Sequence, residues 1–461
     1  MPPRLASILT LAFVFYLFRR DSRERPNVTR ALWIPTVWVL IITTRAVTTW
    51  LGMFGISAGG ISVEEGSTID ALVYFTLIAA GLRVLMQRRV SLAEVVRSNQ
   101  WLCLYLLYCF LAIVWSDFPF VAFKRWAKDL GHPIMALVLL TEPNFEDAFT
   151  TLWKRCGYVI VPVSILFIKY YPEWGRGFSP WTGQGYNTGI TGGKNALGHD
   201  CLILGYFFVW YLLMTLRREK SKARRNELIL SVGFLVMIGW LLSIADSKTP
   251  LISLVLALAI LLFTGLRWVD KRRIGIYLLS VIVVLGAAEA TFGVYETTLD
   301  LLGRNASLTG RAPLWAELRT WGDENPILGI GFESFWLGER RERLWEIFTW
   351  RPTQAHNGYL ETYLNLGLVG LLLLLFLIAA TYRRSRQMLL RDICLGRFRF
   401  PFFFAILIYN WTEASLYGLH PIFFMFILIT MEYPKLKECR REHSRNQFHE
   451  GMGMAESLAR V

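Results

Sequence analysis

The chain has 461 residues, of which 54% are hydrophobic and 18% charged, with a formal charge of +14 and a mean hydropathy of +0.40. That balance argues against a soluble multidomain protein and predicts an all-α polytopic membrane protein. The positive charge falls in short clusters between apolar runs, as the positive-inside rule describes, and not on one face as nucleic-acid binding requires.

A span needs roughly 20 apolar residues. Apolar runs fall at 5–18, 31–51, 68–86, 101–115, 126–141, 153–171, 196–216, 227–245, 250–266, 274–293, 360–382, 400–414 and 417–432. They predict 12 or 13 transmembrane helices, depending on whether the short first run spans or lies along the interface. That first run reads poorly as a signal peptide, because Arg19 and Arg20 follow it and no small-residue cleavage site does.

Basic connectors at 19–30, 217–225, 267–273, 383–386 and 435–441 alternate with connectors poor in Lys and Arg, such as 52–67 and 415–420. The alternation puts the tail in the cytoplasm and one large loop outside. Lys124, Arg125 and Lys128 break the pattern at an outer end, either snorkelling or holding an anionic headgroup. Four regions result: about ten spans in 1–293, an external loop at 294–359, further spans in 360–432, and a charged tail at 433–461 expected to be disordered.

Within the loop, Pro313 suits the first turn of a helix from about Ala312 to Trp321, which Asn325 and Pro326 end. Residues Leu337–Trp350 pattern as an amphipathic surface helix.

Chemistry-bearing motifs are few. D-x-D and H-E-x-x-H are absent, and the six histidines show no metal-ligand spacing, so neither a metal nor another cofactor is called for. The six cysteines form no C-x-x-C pair. The run TGQGYNTGITGGKN at 182–195 lacks the Lys-Ser/Thr ending and preceding strand of a nucleotide loop.

Cations at the outer ends of spans remain. Lys194 begins one span, Lys248 lies in a short outer turn, Arg311 follows Gly310, and His356 precedes the span at 360. Cations at membrane depth cost a few kcal/mol, so they usually face a cavity and hold an anion. A diphosphate fits, with Arg gripping its oxygens bidentately and Lys adding a point charge. The helix start after Gly192 and Gly193 would add N–H donors.

His356 is available as a base near neutral pH, or it simply anchors a helix. Candidate substrate contacts are Lys194, Asn195, Arg304, Asn357, Glu361 and Glu413, with Asp246 a further carboxylate. Glu413 sits in an apolar run and needs a partner, which His420 or a cavity could supply. Trp315, Trp321, Trp336, Trp345 and Trp350 could stack on sugars, although Trp at this level more often anchors at the interface.

LTGR-x-x-L-W, NPILGIGFESFW and QAHNGYLE-x-Y-L-N-L-G-L-x-G, with GGKNALGHD and the turn SKT, resemble the signature of the O-antigen ligase superfamily. That group takes in lipopolysaccharide O-antigen ligases and the Wzy-type and ExoQ-type polysaccharide polymerases. The resemblance runs from about residue 180 to 430 and implies a GT-C-like helical fold in the bacterial inner membrane. It also implies metal-independent transfer of a glycan from an undecaprenyl-diphosphate carrier to a hydroxyl on lipid A core or a growing polysaccharide, at the periplasmic face.

By that resemblance, Arg311 holds the diphosphate and His356 deprotonates the acceptor. Lys248 stands where many members carry Arg, keeping the charge without the bidentate fork. Envelope polysaccharide assembly proteins are the implied partners. The resemblance leaves ligase and polymerase unseparated, since both share donor chemistry. A transporter of lipid-linked glycans and a non-catalytic assembly factor are the non-enzyme readings. The first predicts flux of labelled lipid without new glycosidic bonds, the second tolerance of changes at His356 and Arg311.

Overall fold

The computed structural model describes residues 1–24, 27–56, 66–178, 183–278 with 280, 281 and 283, and 311–433. Arg304, the expected span at 274–293 beyond its first residues, and the tail after Tyr433 lie outside the described residues.

Helices dominate. The first run of them comprises α1 Pro3–Glu24, α2 Trp33–Thr43, α3 Val47–Met53, α4 Thr68–Gln87, α5 Leu92–Ser98 and α6 Gln100–Leu111. Then come α7 Pro119–Asp129, α8 Gly131–Leu140, α9 Phe145–Tyr170 and the single turn α10 Pro172–Gly175. Strands β1 Arg176–Phe178 and β2 Gly185–Asn187 pair antiparallel, Gly177 opposite Tyr186. Helices α11 Lys194–Thr215, α12 Lys222–Ala245 and α13 Lys248–Phe263 precede the large loop. The loop carries α14 Arg311–Gly322 and α15 Gly338–Ile347, and α16 Gly358–Arg391, α17 Ile393–Thr412 and α18 Pro421–Thr430 follow.

Local chemistry sets many starts. Ser67, Ser91, Asn144 and Ser221 each accept a hydrogen bond from a backbone N–H in the first turn of α4, α5, α9 and α12. Both loop helices form where the sequence predicts them.

The span count departs from expectation. Among the described residues, α4, α9, α11, α12 and α16 are long and apolar enough to cross a bilayer. Helices α2 and α3, bent by 68° at residues 44–46, would make a sixth as one broken span. Several other apolar runs form shorter helices, among them α6, α13 and α18. The run at 126–141 splits between α7 and α8, and Pro421 starts a helix of only ten residues. Apolar content alone reads as span length, whereas a short apolar helix is equally stable when neighbours enclose it.

Helix α18 shows this: it is apolar on every side and all its residues are buried. Helices α8, α9 and α11 pack around this interior. The outer surface exposes Leu11, Phe15, Leu72, Met86, Ile229, Val236 and Leu372, an apolar coat suited to lipid. At the end of the bundle that holds the basic connectors, Glu227 takes hydrogen bonds from Arg20 (2.8 Å), Tyr211 (2.6 Å) and Lys154. Arg155 pairs there with Asp21 at 3.0 Å.

At the other end, the loop packs on its own core of Leu314, Leu318, Ile330, Phe335, Leu344 and Ala355. It is also bonded to the bundle through main chain. Gly367 breaks α16 with φ +64° and ψ −164°. The freed N–H groups of Leu368 and Val369 donate to the carbonyls of Pro326 (2.8 Å) and Ile327 (3.2 Å). Only glycine fits at this break, since a Cβ at Gly367 would lie 2.2 Å from the Ile327 oxygen. Residues 326–332 therefore cross the break as a strap, with Gly331 N donating to Asn365 O at 2.9 Å.

Candidate active site

Glu413 stands just past the last residue of α17, 6% exposed, with an extended backbone. Its Oε1 accepts from Arg311 Nη2 at 2.7 Å and from Asn195 Nδ2 at 3.1 Å. Its Oε2 lies 2.8 Å from His356 Nδ1. One carboxylate thus gathers residues from α11, the loop and the segment before α16. Burial by itself raises the Glu413 carboxyl. The hydrogen bond and charge of His356, together with Arg311, outweigh it and hold the group below its ordinary 4.5.

Three helix N-termini converge here, each opened by a cation: Lys194 on α11, Lys248 on α13 and Arg311 on α14. Gly193 supplies no side-chain cap for α11. Ser247 does not cap α13, because its hydroxyl donates to Asn195 Oδ1 at 3.0 Å. Arg311 Nη1 donates to the carbonyl of Thr412, whose hydroxyl donates to Thr249 at 3.0 Å. Helix starts with uncapped N–H groups and adjoining cations form a field that favours an anion.

His356 has φ +49°, a region sparsely used by non-glycine residues and frequent at functional sites. Its surroundings hold it there. Asn357 caps α16, its Oδ1 accepting from Tyr359 N at 3.0 Å and Leu360 N at 3.2 Å. Glu361 is 3% exposed and fully engaged: Oε2 accepts from Ala355 N at 2.8 Å, and Oε1 from Trp336 (2.7 Å) and Asn365 (3.0 Å). Gly358 lies so close to Asn410 that a Cβ there would meet the Asn410 amide at 2.0 Å. The Trp350 ring sits 5.9 Å from the imidazole. With Nδ1 on Glu413, Nε2 has no hydrogen-bond partner among the described residues, and the ring is part-exposed.

Arg311, His356, Glu413 and Asn195 therefore form one cluster. Lys248 stands between Ser247 and Thr249, which touch that cluster, while its ammonium lies 4.0 Å from Asp246. Lys194 adjoins Asn195 and is half-buried. Asn357 Oδ1 and both Glu361 carboxylate oxygens accept hydrogen bonds from the fold beside His356, and so help to position it. The partners of Glu413 are Arg311, His356 and Asn195, not His420, whose Nδ1 instead accepts from Ile422 N at 3.1 Å to cap α18. The break in the charge pattern at 124–128 has a protein partner as well, since Arg125 Nη1 donates to the Glu333 carbonyl at 2.6 Å. Ser247, Thr249 and Thr412 were not among the sequence candidates. Small hydroxyl residues beside Lys248 and Glu413 were the only signal they gave.

A buried carboxylate on Nδ1 orients an imidazole so that Nε2 carries the lone pair, the arrangement of a general base. Beside it, cations and helix starts suit a polyanionic leaving group.

Residues 232–375 match the family model described as O-antigen ligase, a stretch that holds Lys248, Arg311 and His356 but ends before Glu413. The chain is also 24% identical over 307 residues to the exopolysaccharide production protein ExoQ of Rhizobium meliloti (strain 1021). That similarity covers 64% of this chain and 67% of the relative.

Proposed function

We propose that this chain, a member of the O-antigen ligase and ExoQ-type superfamily, transfers a glycan from an undecaprenyl-diphosphate carrier to a hydroxyl acceptor at the periplasmic face of the bacterial inner membrane. The observation that carries the reading is Glu413, bonded at once to His356 and Arg311.

His356 Nε2 takes the proton of the acceptor hydroxyl, and the oxygen attacks the anomeric carbon of the donor sugar. The bond from that carbon to the diphosphate oxygen breaks, and the leaving group departs with the electron pair. The proton stays on the imidazole, where Glu413 balances the new positive charge. Arg311, Lys248 and Lys194, with the starts of α11 and α13, face the charge that grows on the departing diphosphate. Arg311 has two of its nitrogens committed to Thr412 and Glu413, so its guanidinium plane is fixed before a donor binds.

Similarity to an exopolysaccharide production protein favours a growing polysaccharide as acceptor over lipid A core. The test is glycan transfer in a deletion strain complemented with His356→Ala or Arg311→Ala, checking insertion by immunoblot of the membrane fraction. Full activity in either inserted variant refutes the mechanism. Short units without long chains in the knockout indicate a polymerase, and full-length polymer left on the carrier indicates a ligase.

A further inference from the structure

A second cavity, of about 710 Å³, opens between α5, α6 and α16 far from the site. Arg383 lies 25 residues beyond Gly358 along α16, roughly 38 Å at 1.5 Å per residue before allowing for the break. The hydrocarbon core is roughly 30 Å thick. The cavity therefore sits at the opposite membrane surface from His356.

Its walls divide by chemistry. Arg97, Arg383 and Arg384 line it together with one carboxylate, Glu432, leaving an excess of positive charge. Arg384 is fixed by hydrogen bonds to Thr430 O (2.8 Å), Asn99 Oδ1 (3.2 Å) and Ser98 O. Arg97 and Arg383 are exposed and have no hydrogen bond or ion pair among the described residues. Next to them, Trp101 and Phe376 stack with ring centroids 4.9 Å apart, 37% and 49% exposed. Ala379 and Ala380 complete the apolar lining.

Cations at an interface above an apolar aromatic wall match a molecule with an anionic head and hydrocarbon tails. We propose that this cavity binds an anionic phospholipid of the bilayer, with its phosphate between Arg97 and Arg383 and an acyl chain along Trp101 and Phe376. Neutral lipids lack the net charge, and a free phosphate would leave the aromatic wall unused. Basic pockets between spans recognise such headgroups through charge reinforced by low local dielectric. The inference rests on the membrane embedding of the bundle alone and stands whether or not the chain transfers glycans.

The experiment is native mass spectrometry of the full chain in detergent, titrated with phosphatidylglycerol or phosphatidylcholine of matched acyl chains. Phosphatidylglycerol should be retained at least tenfold more readily, and Arg97→Gln with Arg383→Gln should lower that retention roughly tenfold. Arg97→Lys with Arg383→Lys should keep most of it, since a phosphate also accepts a point charge. Equal retention of the two lipids, or undiminished retention by the Gln variant, overturns the proposal. Displacement of the lipid by millimolar glycerol phosphate would assign the site to soluble phosphate and overturn it too. Photoactivatable phosphatidylglycerol on the unaltered protein gives a readout independent of variant folding. Crosslinks in 97–101 or 376–387 support the assignment, and crosslinks confined elsewhere refute it.

Discussion

His356 and Glu413 are 57 residues apart in sequence and 2.8 Å apart in space, imidazole Nδ1 to carboxylate Oε2. The pair joins the segment before α16 to the end of α17, and a change in either residue should be felt through the other. Glu413→Gln keeps the shape but lets the side chain offer an N–H to Nδ1, favouring the wrong tautomer. Transfer should fall on the order of 10²–10⁴-fold, as for carboxylate loss in comparable base pairs. Turnover of a synthetic lipid-diphosphate glycan by purified protein checks this, and a loss under tenfold would remove Glu413 from the mechanism.

Arg311 holds Thr412 O and Glu413 with two different nitrogens. A lysine cannot reach both, so Arg311→Lys should lose fixed geometry while keeping charge. Its kcat should fall about 10²-fold. Retained kcat with a raised KM alone would mean that Arg311 only captures donor.

Glu413 also couples folding to pH. Its carboxyl lies below its ordinary 4.5 in the folded protein, so its contribution to stability is present above that value and lost as pH falls through the lowered one. The melting temperature of the unaltered protein should therefore drop below pH 4.5 more steeply than that of Glu413→Gln. Parallel curves by scanning fluorimetry would contradict the assignment.

Gly367→Ala should destabilise well beyond the roughly 1 kcal/mol of a positive-φ alanine, because the new methyl strikes the Ile327 carbonyl. Gly233→Ala, in α12 with nothing within 4 Å of its added Cβ, should be neutral or gain about 0.5–1 kcal/mol. Thermal unfolding in detergent compares the two. Equal melting points would show that the strap is not a constraint.

Hydropathy made the helical membrane class legible, and Pro313 and the charge pattern gave α14 and α15. The cationic residues at span ends led to Arg311 and His356 because cations at membrane depth are costly. What hid the rest was tertiary. The partners of Glu413 come from three distant segments, so no local spacing marks them. Asn357 carried a readable clue, since Asn directly before a helical run is a favoured cap. Span lengths misled because enclosure by neighbours, invisible in a window of residues, lets α8 and α18 stay short.

The crossing of residues 326–332 over the interruption in α16 bears on how a bulky polymer could come and go. Backbone amides of Leu368, Val369 and Gly331 tie that segment to the bundle. Swinging the loop away from the bundle would break several main-chain hydrogen bonds at once. If the chain elongates a polymer as proposed, that polymer would enter and leave sideways beneath a roof that stays in place.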